Sequence, residues 1–465
     1  MTDLAYLSVA DAGPMLKGGT LSPVQYTEAL LARIESLDPQ LNSFIRLMRE
    51  DAMAQARAME AELRAGRWRG PLHGVPYALK DIVDYAGVPT TAHSKILAGN
   101  VATRDATVTA RLREAGAICL GKLATWEFAL GGPSFDLPWP PARNPWNRDH
   151  HPGGSSTGAG AAVAAGFVPF AIGTDTGGSI RNPSTLCGVV GLKPTYGLVS
   201  RAGVVPLAYS LDHVGPLARS PRDAALVMTA IAGYDAADPA SADVPPRDFT
   251  TGLDAGVSGL RIGYVRQFHE VDIPDTDPDV VAGLDAAVET LRAQGADVQD
   301  VSMRSLSDYG AVVNIVLLTE AYAVHERWMA ERPDDYADLT RQRILPGAFV
   351  SGADYVGALR TRAVMVREFA ETMRGYDALI CASSMDPAAP IDDPGEINRT
   401  FSRQARVVFN ALGNPALAVP TGFSRTGLPV GMQVVGRPFE DATVLRIGQA
   451  YQDATTWHEY RPPLG

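Results

Sequence analysis

The sequence predicts an α/β protein, and three observations carry the prediction. From about residue 105 to 235, helical stretches such as "ATVTARLREAGA" alternate with short apolar runs such as "ICLGK" and "FVPFAIGTD". That is the pattern of strands buried on both faces of a sheet and connected by helices. Apolar runs return near the end in "YDALICASS", "PALAVPTG" and "PVGMQVVG", so the last third is expected to complete the earlier sheet. Finally, 465 residues, 46% hydrophobic and 20% charged, suit one large α/β body or a few smaller units and give a globular composition.

The elements follow in order. Residues 1–66 read as a helical segment. In "SPVQYTEALLARIESLDPQLNSF", Ser22 suits an N-cap, Pro23 the first helical position, and Leu30, Leu31, Ile34 and Leu37 share a face. "REDAMAQARAMEAELRAG" repeats the pattern and stops at Gly66. Residues 67–235 form the core, opening with "GPLHGVPYALKDIVDYAGVPTT", where Gly and Pro punctuate strand-like runs. Residues 236–256 are rich in Pro, Asp and Ala and read as a linker or long loop. After the strand-like "GLRIGYV", residues 257–375 are mostly helical, with "GALRTRAVMVREFAETMRG" the clearest case, and residues 376–465 bring strands and helices back to the core. There is no internal repeat.

Charge and cysteine content narrow the function classes. A net charge of -11 argues against a surface built to neutralise nucleic-acid phosphates. Cys119, Cys187 and Cys381 are too few and too scattered for a disulfide framework and form no C-x-x-C pair. A cytoplasmic location is the simplest expectation. The first residues lack the basic and apolar regions of a secretory signal, and no uninterrupted apolar run reaches the roughly 18 residues of a membrane span. No metal and no cofactor is called for.

Two glycine-rich segments carry the chemistry. In "GTDTGGSIRNP", residues 173–183, Gly177 and Gly178 precede Ser179 and leave backbone N–H groups uncovered for an anion. A phosphate, the oxyanion of an attacked carbonyl, and a plain surface turn all fit that composition. "HPGGSSTGAGAAVAAG", residues 151–166, fails the Walker A template because Ala159 stands where lysine is needed, and fails G-x-G-x-x-G/A at Val163. It reads instead as the start of a tightly packed helix of small residues. Neither Ser155 nor Ser179 lies in G-x-S-x-G, and no motif nominates a histidine. His150 and His151 read as solvated loop residues, while His73 and His213, near Gly/Pro turns, suit hydrogen-bonding support.

A base other than histidine is therefore needed. Lys80 closes the apolar run Val75 to Leu79, so a strand would carry it to a buried place where desolvation favours the neutral amine; an exposed strand-end lysine is the alternative.

Lys80 in G-V-P-x-x-x-K-D, then "PGGSSTGAGAAVAAG", then "GTDTGGSIRNPSTLCGVVGLKPTYGLVS" and "SLDHVGPLARS" together resemble the amidase signature family of serine amidohydrolases, over essentially the whole chain. The resemblance implies a single domain, residues 1–465, with a large mixed twisted β-sheet covered by helices on both faces. It implies Ser179 as nucleophile, Ser155 as relay after a cis Gly154–Ser155 bond, and Lys80 as terminal base. The N–H groups of Thr176, Gly177, Gly178 and Ser179 would form the oxyanion hole, braced by Asp175 and Arg181. Residues Ala129 to Gly132, among them Ala129, Gly131 and Gly132, would line the acyl side of the pocket; Trp139 and Trp146 read as lid or packing, packing being preferred. No cofactor or metal is implied. A homodimer is, with a small accessory subunit left open.

Departures from the family pattern fall at Thr157, at Ala159, and at Cys381, where a changed pocket rim is expected. The leading expectation is a stand-alone amidohydrolase that releases ammonia or an amine from a small carboxamide through an acyl-enzyme. One alternative is the glutaminase A-type subunit of a tRNA-dependent amidotransferase. Arg403 stands where such a subunit would present an acid to the glutamine ammonium. A ureide hydrolase, of biuret or allophanate type, is another, with Arg362 as candidate partner for a substrate carboxylate. A non-catalytic anion-binding subunit is the reading from a different class.

Overall fold

The structure is a computed structural model that describes residues 3–464; residues 1, 2 and 465 of the expected domain lie outside that range. Its strands are β1 (Phe44–Leu47), β2 (Pro76–Lys80), β3 (Ile118–Leu123), β4 (Phe170–Asp175), β5 (Val190–Lys193), β6 (His213–Ala218), β7 (Arg261–Tyr264), β8 (Asp297–Asp300), β9 (Ala378–Ala382), β10 (Ala416–Phe423) and β11 (Pro429–Val435). All eleven form one sheet in the order β1-β3-β2-β4-β6-β5-β10-β11-β9-β7-β8. The sheet is mixed: β2 runs parallel to β3 and β4, and β7 parallel to β8 and β9. The β10–β11 and β4–β6 pairs are antiparallel.

Every residue of β2, β3, β4, β5, β6, β9 and β11 is buried. Successive residues of a strand face opposite sides, so both faces of the sheet are covered. Helices Thr157–Ala164, Pro221–Ile231 and Asp441–Asp453 supply part of that cover, against β4, β6 and β10 respectively. The ends are short strands. In β8, "DVQD", only Val298 is buried, and the carboxylates on the outer strand discourage pairing with another chain.

Ser22 caps its helix as the sequence suggests, its hydroxyl accepting from Val24 N and Gln25 N, and Leu30, Leu31 and Ile34 are buried. The N-terminal segment departs from an all-helical reading at β1, whose four residues are too few to show an alternating pattern. Residues 236–256 contain no helix or strand, but they are tied down: Asp238 pairs with Arg201 at 2.9 Å, and Phe249 and Leu253 are buried. Because β7 and β8 join the sheet through β9, one sheet runs through the core and both later segments.

The parallel β2–β4 pair fixes the site. Leu79 lies in register with Ile172, so the C-terminal ends of both strands open at the same place. That end of a parallel pair is where α/β proteins put ligands. No helix among the described residues is long and apolar enough to cross a membrane.

Candidate active site

Lys80 is the last residue of β2 and is fully buried. Its Nζ donates to Ser155 Oγ at 2.8 Å and to Thr174 Oγ1 at 2.8 Å. Burial pushes its pKa from the usual 10.5 down to about 7, while the charges of Asp175 and Asp212 work in the opposite direction.

Ser155, fully buried, follows a cis peptide bond from Gly154. A side chain at Gly154 would overlap the Trp126 indole, so glycine is required there. The segment is held on both sides: Trp126 N donates to Ser155 O (3.1 Å) and Ser156 N donates to Ser179 O (3.2 Å). Ser156 Oγ also bridges to the backbone of Thr174. Helix Thr157–Ala164 then packs closely, and a side chain at Gly158 would meet the backbone of Ser43 and Ala124.

Ser179 lies in the loop that follows β4 and is the most accessible of the three residues, 6% exposed against 0% for Ser155 and Lys80. Asp175 organises this loop. Its carboxylate accepts from Gly178 N (2.8 Å), Ile180 N (3.1 Å) and Asn410 Nδ2 (2.8 Å) and pairs with Arg181 at 2.9 Å. Burial alone would raise its pKa, but the Arg181 guanidinium holds the carboxyl well below the usual range. The expected brace of Asp175 and Arg181 is therefore a buried ion pair inside the loop.

One of the four expected oxyanion donors is already committed, because Gly178 N–H points at Asp175. The N–H groups of Thr176, Gly177 and Ser179 have no protein acceptor among the described residues. Thr176 Oγ1 donates to Asp212 at 2.6 Å. Gly178 has φ of 113°, and a side chain there would run into Arg406. His213 Nδ1 lies 3.1 Å from Asp175 O and 2.6 Å from Leu211 O; burial holds its pKa well below the usual value, so it supports the loop as a neutral ring.

A cavity of about 730 Å³ opens over Ser179, with Trp126, Ala129, Gly131, Phe401 and Arg343 in its walls. Ala129 and Gly131 both line this cavity. Gly132 does not line this cavity but a small neighbouring cleft, beside Leu339. Trp146 donates to Cys187 O (2.8 Å) and packs on Phe423. Trp139 stands edge-on to His93. Both are packing.

Four expectations need correction. Arg403 does not line the cavity: Asp386 and Asp275 hold it, each at 2.7 Å, so it offers no repulsion to a bound ammonium. Arg362 donates to the backbone carbonyls of Ala411 (2.6 Å) and Ser210 (2.9 Å), which leaves no free fork for a substrate carboxylate. Cys381 lies inside β9, next to Gln433, away from the rim. His151 is buried, not solvated, and burial pushes its pKa down to about 3.

Sequence reasoning missed Thr174, Trp126 and Arg343. Thr174 sits within "GTDTGGS", where period-2 spacing from Thr176 is the available signal. Arg343, on helix Asp338–Ile344, donates to Asn398 Oδ1 (2.6 Å) and has no carboxylate in ion-pair range among the described residues. No motif marks it.

A mixed sheet that delivers a buried amine to one serine, with a second serine in a glycine loop above it, fits an enzyme of amide chemistry. The chain belongs to the amidase signature family: the family model Amidase matches residues 25–445. It is 42% identical, over 100% of its length and 99% of the relative's, to the A subunit of the glutamyl-tRNA(Gln) amidotransferase of Chloroflexus aggregans. Among solved structures, it resembles a vestigial protein complex described as revealing the evolutionary origins of an s-triazine catabolic enzyme, with TM-score 0.91 and 33% identity over 96% of this chain and 98% of that one. It also resembles the native peptide amidase of Stenotrophomonas maltophilia, with TM-score 0.86 and 33% identity over 99% of both chains.

Proposed function

We propose that this chain hydrolyses the C–N bond of a small carboxamide through an acyl-enzyme on Ser179. The observation that carries the reading is the 2.8 Å contact between a fully buried Lys80 Nζ and Ser155 Oγ. With the amine neutral, that contact runs from the serine hydroxyl to the nitrogen. Ser179 Oγ attacks the carbonyl carbon, its proton passes to Ser155 Oγ, and the Ser155 proton passes to Lys80. The carbonyl oxygen gains negative charge and meets the N–H groups of Thr176, Gly177 and Ser179. Collapse breaks the C–N bond, and the leaving nitrogen takes the proton back from Lys80 through Ser155. Water then attacks the ester by the same relay and frees the carboxylate.

Arg343, at the cavity wall with no carboxylate partner among the described residues, supports an acyl part that carries a carboxylate. The names of the curated relatives support a more specific version over a stand-alone amidase: a glutaminase subunit that releases ammonia from glutamine for a partner. Glutamine's α-carboxylate would face Arg343, and Asp272, also in the wall, offers an acid for its ammonium.

Fluorophosphonate labelling with peptide mapping tests the common chemistry: the label is expected on Ser179, and a folded protein that takes none refutes it. Ammonia release from glutamine, peptide amides, biuret and allophanate then separates the substrate readings. Mass measurement in solution distinguishes a homodimer from a chain that needs a second kind of subunit.

A further inference from the structure

Arg406 is a fully buried guanidinium that the reaction scheme leaves unused. Its Nη1 donates to Ser383 O at 2.9 Å and to Ser384 Oγ, but Nε and Nη2 have no acceptor among the described residues. The guanidinium lies over the Phe401 ring, 5.6 Å from its centre. The side chain from Cβ to Nε packs against Gly178, the residue before Ser179, closely enough that no side chain fits there.

The charges around it do not compensate it. Asp175 and Arg181 are the charged groups facing it, with His151 beside them. Asp175 and Arg181 are paired to each other by two contacts, 2.9 and 3.1 Å, and so cancel. His151 is neutral at ordinary pH. One positive charge therefore remains, buried behind the oxyanion loop, and a buried charge is costly until an anion meets it. Arg406 is absent from the cavity wall, so a substrate carboxylate does not reach it. The anion that forms beside Gly178 is the tetrahedral oxyanion.

We propose that Arg406 is a positioning residue for the reaction: from behind Gly178 its charge stabilises the oxyanion held by the N–H groups of Thr176, Gly177 and Ser179. This rests on acyl transfer at Ser179, which fluorophosphonate labelling tests separately. The probe is a trifluoromethyl ketone labelled with 13C at its carbonyl. Ser179 Oγ bonds to that carbon, the C=O π bond opens to an oxyanion, and the serine proton goes to Lys80 through Ser155. The 13C shift then reports the pH at which the hemiketal oxygen ionises.

Arg406→Gln keeps a donor for Ser383 O and removes the charge; Arg406→Lys keeps the charge. Arg406→Gln is expected to raise the hemiketal ionisation by about one to two pH units and to lower kcat by about 10- to 100-fold, with KM little changed. Arg406→Lys is expected to leave the ionisation within about half a unit. An unshifted ionisation in Arg406→Gln, or equal shifts in both variants, overturns the proposal. If Arg406→Gln does not fold, Arg406→Lys decides: a retained ionisation pH supports the charge role, and a shift of more than one unit refutes it. Absence of any adduct in the unmutated protein would fail the acyl-transfer reading instead.

Discussion

Replacing Thr174 by valine removes one group that favours the protonated form of Lys80. Thr174 Oγ1 accepts a hydrogen bond from Nζ at 2.8 Å, and the Lys80 side chain that donates it is fully buried. A hydrogen bond to a charged group contributes about 1.5–3 kcal/mol and one between neutral groups about 0.5–1.5 kcal/mol. Removing the acceptor therefore costs the ammonium about 1 kcal/mol more than the amine. At about 1.4 kcal/mol per tenfold change, that lowers the Lys80 pKa by somewhat less than one pH unit, on the acid side of its present value of about 7.

In the proposed mechanism the neutral amine is the active form, so in the parent protein acylation should fall about tenfold per pH unit below 7 and level off above 8. The assay is the rate of fluorophosphonate labelling of Ser179 between pH 5 and 9. In Thr174→Val the inflection should move to lower pH, so that at pH 6 the variant labels faster relative to its own plateau than the parent does. An inflection that stays in place, or moves to higher pH, refutes the assignment of the titrating group to Lys80. A flat profile in the parent does the same.

Three further outcomes follow from the same geometry. Lys80→Met should abolish labelling of Ser179 in a folded protein. Its effect on stability has a definite sign: unfolded Lys80 keeps its proton up to pH 10.5 and folded Lys80 loses it at about 7, so this group destabilises the fold below pH 7 and the penalty fades as pH rises to 10.5. Denaturation at pH 6 and pH 10 should show Lys80→Met more stable than the parent at pH 6, by at most about 5 kcal/mol, with a smaller gap at pH 10. Gly178→Ala forces a side chain into Arg406 at a φ of 113°, and should lose at least about 1–3 kcal/mol of stability by thermal denaturation together with most activity. Arg343→Gln should raise KM about tenfold or more for a carboxylate-bearing amide and leave a neutral amide unchanged, a contrast read from paired steady-state assays.

The residues proposed to react were legible through the resemblance that their motifs carry. Lys80, Ser155 and Ser179 sit in glycine- and proline-marked runs, and two of those glycines have no room for a side chain: one at Gly154 would overlap Trp126, and one at Gly178 would meet Arg406. The alternating pattern between 105 and 235 likewise exposed strands such as β3 and β4, whose every residue is buried. Arg343 was not legible, because an exposed helical arginine and one facing a cavity look alike until distant segments such as Asn398 are placed beside it. Arg403 and Arg362 failed for the same reason in reverse. Each looks free in sequence, and each is held by groups far along the chain, Asp275 for Arg403 and Ser210 for Arg362. Gly178 shows the limit at shortest range: it stands three residues from Asp175 and its N–H looks free in sequence, yet the carboxylate turns back onto it.

The carboxylate that makes this turn is met by a buried arginine beside the loop. Asp175 is the group that shapes residues 176 to 180, and a carboxylate is suited to the task because it accepts several N–H bonds at once. The same charge acts on Lys80 and raises its pKa, which works against having a neutral amine near pH 7. Arg181 resolves the conflict by taking up the carboxylate's charge at 2.9 Å without displacing the backbone N–H groups that give the loop its shape. Desolvation of Lys80 then remains the larger influence on its proton affinity. The ion pair thus places a compensated carboxylate at the end of β4, close to Lys80, the proposed base at the end of β2.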